Sequence, residues 1–223
     1  MLGCAPKAYR LHPDFNKRYS DFKCAGLLPP DIKVYELSAG SVREQQDEWC
    51  AMGQKNCAAA LQSCSRNMHL SIKEIEATPE LQEEIDSILP LYRAVSNSIA
   101  VHAYEGPFRF PDKEEHFLYS IGDIGSITGQ FDVDGLLLIN GSDEISTGGR
   151  KALMVVGFMA GMFTGVYMGP RGAITAMNAA LVDQDGSILW YKKYAAGSSY
   201  DMRDPKSMQS LVDDIMKDFP GDR

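Results

Sequence analysis

An α/β layer with a mixed, mostly parallel sheet, a C-terminal β-hairpin and a final packing helix is the fold the sequence predicts. Three observations carry it. The unbroken apolar run Leu136-Leu137-Leu138-Ile139, after Asp134-Gly135, suits a central strand covered on both faces. Gly172 to Val182 and Ser187 to Tyr194 read as two strands joined by the turn sequence Asp183-Gln184-Asp185-Gly186. Helix-start signals alternate with strand candidates, so the sheet is expected to be parallel where helices connect strands and antiparallel at the hairpin.

Taken in order, Cys24 to Leu28 is a short apolar strand stopped by Pro29-Pro30, and an extended segment resumes from Asp31 to Ala39. There Ile32 and Val34 share one face while Tyr35 and Leu37 share the other, so both faces are covered or a bulge shifts the register. Ser41-Val42-Arg43-Glu44 reads as a capping box, in which hydroxyl and carboxylate satisfy free backbone amides, opening a helix to about Met68. Leu70 to Glu76 alternates well enough for a half-buried strand. Thr78-Pro79 supplies an N-cap and a first-turn proline for a helix to about Tyr104, kinked near Pro90. Phe117, Ile121, Ile124 and Phe131 point to a further helix, weakened by Gly122, Gly125 and Gly129. After the hairpin, Asp204-Pro205 caps a last helix with Met208, Leu211, Val212, Ile215, Met216 and Phe219 along one face.

The chain has 223 residues, 44% of them hydrophobic and 23% charged, which fits one domain with a sizeable core. A formal charge of −8, without any dense Lys/Arg cluster, excludes reading the chain as a binder of nucleic-acid backbone. Cys50, Cys57 and Cys64 recur seven apart, about 10.5 Å between neighbours on a helix, so they cannot bridge one another. They are expected on a buried stripe with Gly53, Leu61 and Met68, as small hydrophobes. The histidines His12, His69, His102 and His116 show no metal-ligand spacing, and neither metal nor cofactor is expected.

Gly157, Gly161, Gly165 and Gly169 recur at four-residue intervals inside the uncharged run from Ala152 to Pro170. On a helix that spacing makes one stripe, along which another backbone can approach closely. Each interior glycine costs a helix about 1 kcal/mol relative to alanine, so the segment needs a packed neighbour. It is expected to meet a protein partner or another copy of the chain. As a helix it would be about 28 Å long, close to a bilayer's hydrocarbon thickness. A membrane span therefore stays open as an alternative, ranked below a buried or oligomer-forming helix because glycine, Thr164 and Tyr167 dilute its apolar residues.

Met1-Leu2-Gly3-Cys4 looks like the end of a bacterial lipobox, with Cys4 as the residue to be lipidated. No basic or apolar leader stands before it, so the expectation is a chain clipped just ahead of its processing site; the alternative is a plain N-terminus with a free thiol. Ala5 to Phe22, polar and without a strong period, is expected to be a tether. The chain thus divides into residues 1–23, lipobox remnant and tether, and residues 24–223, the folded domain that carries the Gly-rich segment 152–170.

Leu27-Leu28-Pro29-Pro30-Asp31, the helix from Ser41, Val133-Asp134-Gly135-Leu136-Leu137, Ala180-Leu181-Val182-Asp183 to Gly186, and Ile188-Leu189-Trp190-Tyr191 follow in an order that resembles bacterial periplasmic lipoproteins whose domain is similar to the TolB N-terminal domain and to CsgG. The resemblance spans roughly residues 24 to 219. It implies an envelope location and a role in assembly, transport or scaffolding, with membrane attachment through the lipid on Cys4. Ala5 after that cysteine implies the periplasmic face of the outer membrane. The chain departs from the CsgG-like pattern in lacking amphipathic strands long enough for a pore.

For catalysis the residues offer little. Gly141-Ser142-Asp143-Glu144 leading to Ser146-Thr147-Gly148-Gly149-Arg150-Lys151 has the materials of a phosphate loop but not the P-loop spacing. The runner-up function is nonetheless a soluble enzyme or small-molecule binder using this loop, 141–151. Asp143 with Glu144, and Asp183 with Asp185, are conceivable acid/base pairs in turn-like sequence. No catalytic residue is assigned. Trp190, Tyr191 and Tyr194 are expected to pack in the core more than to line a site, with Leu189 and Tyr191 on one side of the strand and Trp190 on the other.

Overall fold

The computed structural model describes residues 8–65, 70–76, 78–104, 107–165, 171–197 and 199–221. Cys4, Met68 and Gly169 lie outside them. The described residues form an eight-stranded mixed sheet with helices on both faces.

The centre of the sheet is β6 (Gly135–Ser146), antiparallel to β7 (Ile174–Asp183), which is antiparallel in turn to β8 (Ile188–Gly197). On its other side β6 pairs in parallel with β2 (Cys24–Leu27) along its first part and with β3 (Asp31–Leu37) along its second. Pro29-Pro30 separates those two strands, so one long strand serves two short ones. Beyond β2 lies β5 (Ser71–Glu74), parallel, and beyond β3 lies β4 (Arg43–Gln45), antiparallel. The expected hairpin and interleaving hold. Three of the seven strand pairings are parallel, a smaller share than the sequence pattern predicts.

The remaining antiparallel pairing is made by residues expected to be a tether. From Tyr9 onward the chain belongs to the domain: β1 (Tyr9–Leu11) pairs with β8, and α1 (Phe15–Tyr19) buries Phe15, with Phe22 buried after it. The segment is short of apolar residues, but Phe15 and Phe22 stack on Tyr19, which meets Phe219 edge-on, and these rings dock it.

Two cores lie against the sheet. On one face α2 (Asp47–Cys64) and α7 (Pro205–Met216) cover Ile32, Val34, Leu137, Ile139, Leu181 and Trp190. Cys50, Gly53, Cys57, Leu61 and Cys64 form the buried stripe of α2, as the spacing predicts, and the cysteines are free thiols. Burial pushes the Cys57 thiol up to about 12, so it is an inert hydrophobe. Gly53 is needed for contact, because a Cβ there would sit 2.8 Å from Ile32 Cγ2. On the other face α3 (Pro79–His102) and α5 (Gly125–Phe131) cover Leu136, Leu138, Ala180, Val182, Ile188 and Tyr191. The short α4 (Pro111–Glu115), opened by Pro111 in its first turn, precedes α5.

Three local expectations are corrected. Ser41 opens no helix: it has φ 64° in the turn of a β3–β4 hairpin, and Arg43 to Gln45 pair with Leu37 to Tyr35. The hairpin's own hydrogen bonds, Ser38 Oγ accepting from the Val42 amide among them, take the partners a capping box would use. The helix expected around Phe117 to Phe131 is an extended stretch bridging Ser120 to Ser187, followed by α5 alone. Finally, Leu189 lies with Trp190, not with Tyr191, because a bulge between Leu181 and Val182 puts two β8 residues on one side. Trp190 and Tyr191 are fully buried, so both belong to the core.

Candidate functional site: an uncovered apolar helix

β6 runs on to Ser146, and Thr147 alone separates it from α6 (Gly148–Thr164). The segment 141–151 is therefore strand, cap and first helical turn, not a loop. Thr147 Oγ1 accepts from the Arg150 amide, closing the helix start. Arg150 is fully buried and points away from any ligand: its Nη1 donates to Ser38 O and Ser41 Oγ, and Nη2 to Arg171 O. It clamps the base of α6 to the β3–β4 turn and to the chain returning at Arg171, which removes it from phosphate binding.

Asp143 and Glu144 alternate across β6 and do not meet as an acid/base pair. Asp143 accepts from Thr175 Oγ1 at 2.6 Å and from the Met202 amide at 3.0 Å, and burial raises its carboxyl above the usual range. Glu144 faces Arg43 and Arg171. Asp183 and Asp185 do come together in the β7–β8 turn, where both accept from the Ser187 amide and both pair with Arg18. Burial, then the neighbouring Asp185 carboxylate, raises Asp183 to about 7; hydrogen bonding to Asp183 holds Asp185 well below the ordinary carboxylate range. The pair shares one proton below about pH 7.

Among the described residues, α6 differs from the other long helices, α2, α3 and α7. Six of its large apolar side chains are exposed by about half or more: Leu153 46%, Val155 60%, Val156 63%, Phe158 61%, Met159 51% and Met162 63%. Neither core includes a residue of α6. The glycine stripe is not its open face, since Gly157 is buried and Gly161 half-buried while the large side chains point outward. Gly165 is not a stripe member but the stop signal, left-handed at φ 73° with its amide on Gly161 O. Gly161 and Gly165, with Phe158 and Met162, line a notch of about 250 Å³.

No helix among the described residues is long and apolar enough to cross a membrane, so the spanning alternative for 152–170 has no support from α6. Exposure of this face was legible only in part: the uncharged run announced an apolar helix, but nothing in the residues said which side would stay bare. Compared with protein-family models, characterised proteins and solved structures, the chain gives no match.

Proposed function

We propose that this protein is an assembly component that self-associates through α6, moored at the periplasmic face of a bacterial outer membrane by a lipid on Cys4. The observation that carries the reading is the uncovered apolar face of α6. Its six exposed side chains present on the order of 600 Å², at the top of the range of a monomer's largest apolar patch, which is often a functional one. Two copies pairing these faces would remove about 1,200 Å² from water, the lower end of stable interfaces. Chemistry favours a second copy over other occupants. A helix lying in a membrane surface carries a basic polar face, whereas α6 has Lys151 as its single exposed charge, at its base. A second α6 would bring apolar side chains such as Val155 and Met159 to the Gly161–Gly165 notch.

Size-exclusion chromatography with light scattering tests the proposal. The wild-type chain is expected to run above its monomer mass of 24.6 kDa at micromolar concentration. Val155→Glu/Phe158→Glu is expected to run as a monomer with an unchanged circular dichroism spectrum. Gly161→Leu, which fills the notch, should weaken association by about tenfold, the equivalent of 1.4 kcal/mol. A wild-type chain that stays monomeric at every concentration would sink the proposal. The anchor has its own test, the intact mass of protein made with an export leader, which should carry the acyl groups on Cys4.

A further inference from the structure

We infer that the groove between α3 and the polar half of the sheet binds a small hydrophilic oxyanion, a phosphate- or carboxylate-bearing molecule. The inference does not rest on the assembly reading.

α3 covers only the first part of its sheet face. Along β6 the residues on that face change from Leu136 and Leu138 to Asn140 and Ser142, and along β7 from Ala180 to Asn178. Where the leucines stop, a groove of about 650 Å³ opens, the size of a small-molecule site, with strand side chains as its floor and Arg93 and Asn97 of α3 as one wall. An apolar ligand finds little here, because Tyr35 is the one large ring of the lining and the Arg43 guanidinium already covers it, 4.1 Å from its centroid.

The charge of the groove runs against that of the molecule. Lys33, Arg43 and Arg93 line the groove with one carboxylate, Asp31, a surplus of two cations in a chain of net charge −8. Arg93 directs Nε and Nη2 to the same oxygen of Asp31. The Lys33 ammonium stands 3.8 Å from the other oxygen, beyond hydrogen-bond distance, so its donors remain for a ligand. Arg43, Arg93 and Lys33 are each between a third and a half exposed, as groups that reach a solvent-borne anion must be. In the floor, Asn140 accepts from Asn178 Nδ2 at 3.0 Å, while its own amide nitrogen is buried without an acceptor. An unmade hydrogen bond of that kind is what a ligand oxygen can satisfy. Guanidinium groups from two walls and an ammonium between them match an oxyanion's spread of acceptors.

Thermal unfolding with inorganic phosphate or citrate at about 20 mM, against sodium chloride of equal ionic strength, is the test. Binding well above the dissociation constant is expected to raise the melting temperature by about 3 °C. Lys33→Ala/Arg43→Gln removes two exposed cations and leaves Glu144 its Arg171 partner, so it should fold and lose the shift. Lys206→Ala, on distant α7, should keep it. A response to phosphate alone assigns the phosphate class, and a response to citrate alone the carboxylate class. No shift beyond the chloride control, or an equal shift in Lys33→Ala/Arg43→Gln, overturns the inference. Repeating the measurement in Val155→Glu/Phe158→Glu separates loss of the groove from loss of assembly.

Discussion

Arg150 shows how one residue can be read correctly as cationic and wrongly as available. In sequence it stands beside Gly148, Gly149 and Lys151 like part of an anion site; in the fold it is buried with no exposure, and two carbonyls and a hydroxyl hold its guanidinium. Arg150→Met keeps an unbranched apolar stem but removes the guanidinium and its three hydrogen bonds, so a loss of about 2–4 kcal/mol in urea unfolding is expected. A loss under about 0.5 kcal/mol would show that the clamp is ornamental. Asp183 makes a second prediction at this scale. Its folded pKa of about 7 lies above the unfolded value, so between about pH 4 and 7 the native state holds the extra proton and stability falls as pH rises. Asp185 acts in the opposite sense, its contribution being present above about pH 4 and lost in acid. Asp183→Asn imitates the protonated acid and should shrink the drop in melting temperature between pH 5 and pH 8, whatever it costs through Arg18. An unchanged drop would place the proton elsewhere.

At the scale of elements, the strands and helices whose signals are local and redundant were legible. The turn Asp183 to Gly186 and the capped start of α7, where Asp204 accepts from the Ser207 amide, match the sequence reading residue for residue. The stripe of α2 was legible for the same reason, since three cysteines and a leucine repeat on one face. What was not legible depends on partners far away in sequence. Ser41 to Glu44 satisfies a capping box and a hairpin strand equally well, and β3 decides between them. β1 has three residues and no pattern of its own; β8 makes it a strand. The uncovered groove escaped the sequence altogether, because polar residues on a strand look solvated whether or not a cavity forms above them. Glycines divide along the same line. A Cβ at Gly135 would lie 2.1 Å from Val182 O in the neighbouring strand, so Gly135→Ala is expected to cost about 3 kcal/mol or more. Gly129, exposed within α5 with open space around it, should gain about 0.5–1 kcal/mol from alanine. Chemical denaturation of both variants checks the pair, and equal effects would mean that the close approach of β6 to β7 is not rigid.

At the scale of the whole molecule, the direction of β1 ties the proposed anchor to the proposed docking helix. Tyr9 pairs with Lys192 and Leu11 with Trp190, so β1, traced back toward its start, heads for the end of the sheet at which β8 reaches Gly197 and β7 begins at Ile174. That is the end from which α6 leaves β6. The five residues from Cys4 to Tyr9 reach at most about 17 Å, so a lipid on Cys4 would hold this end of the domain close to the bilayer. The turn at Gln184 lies at the opposite end, about 30 Å away along β7. Anchored copies would then share an orientation and be confined to a surface, which raises their effective concentration for pairing through α6. A fluorophore on Val156→Cys and another on Gln184→Cys, each in a Cys24→Ser background with the N-terminal lipid attached to vesicles, read this geometry through quenchers on lipid headgroups. Strong quenching at position 156 and little at position 184 is expected. The reverse pattern would detach the anchor from the docking end, and with it the idea that mooring and assembly act together.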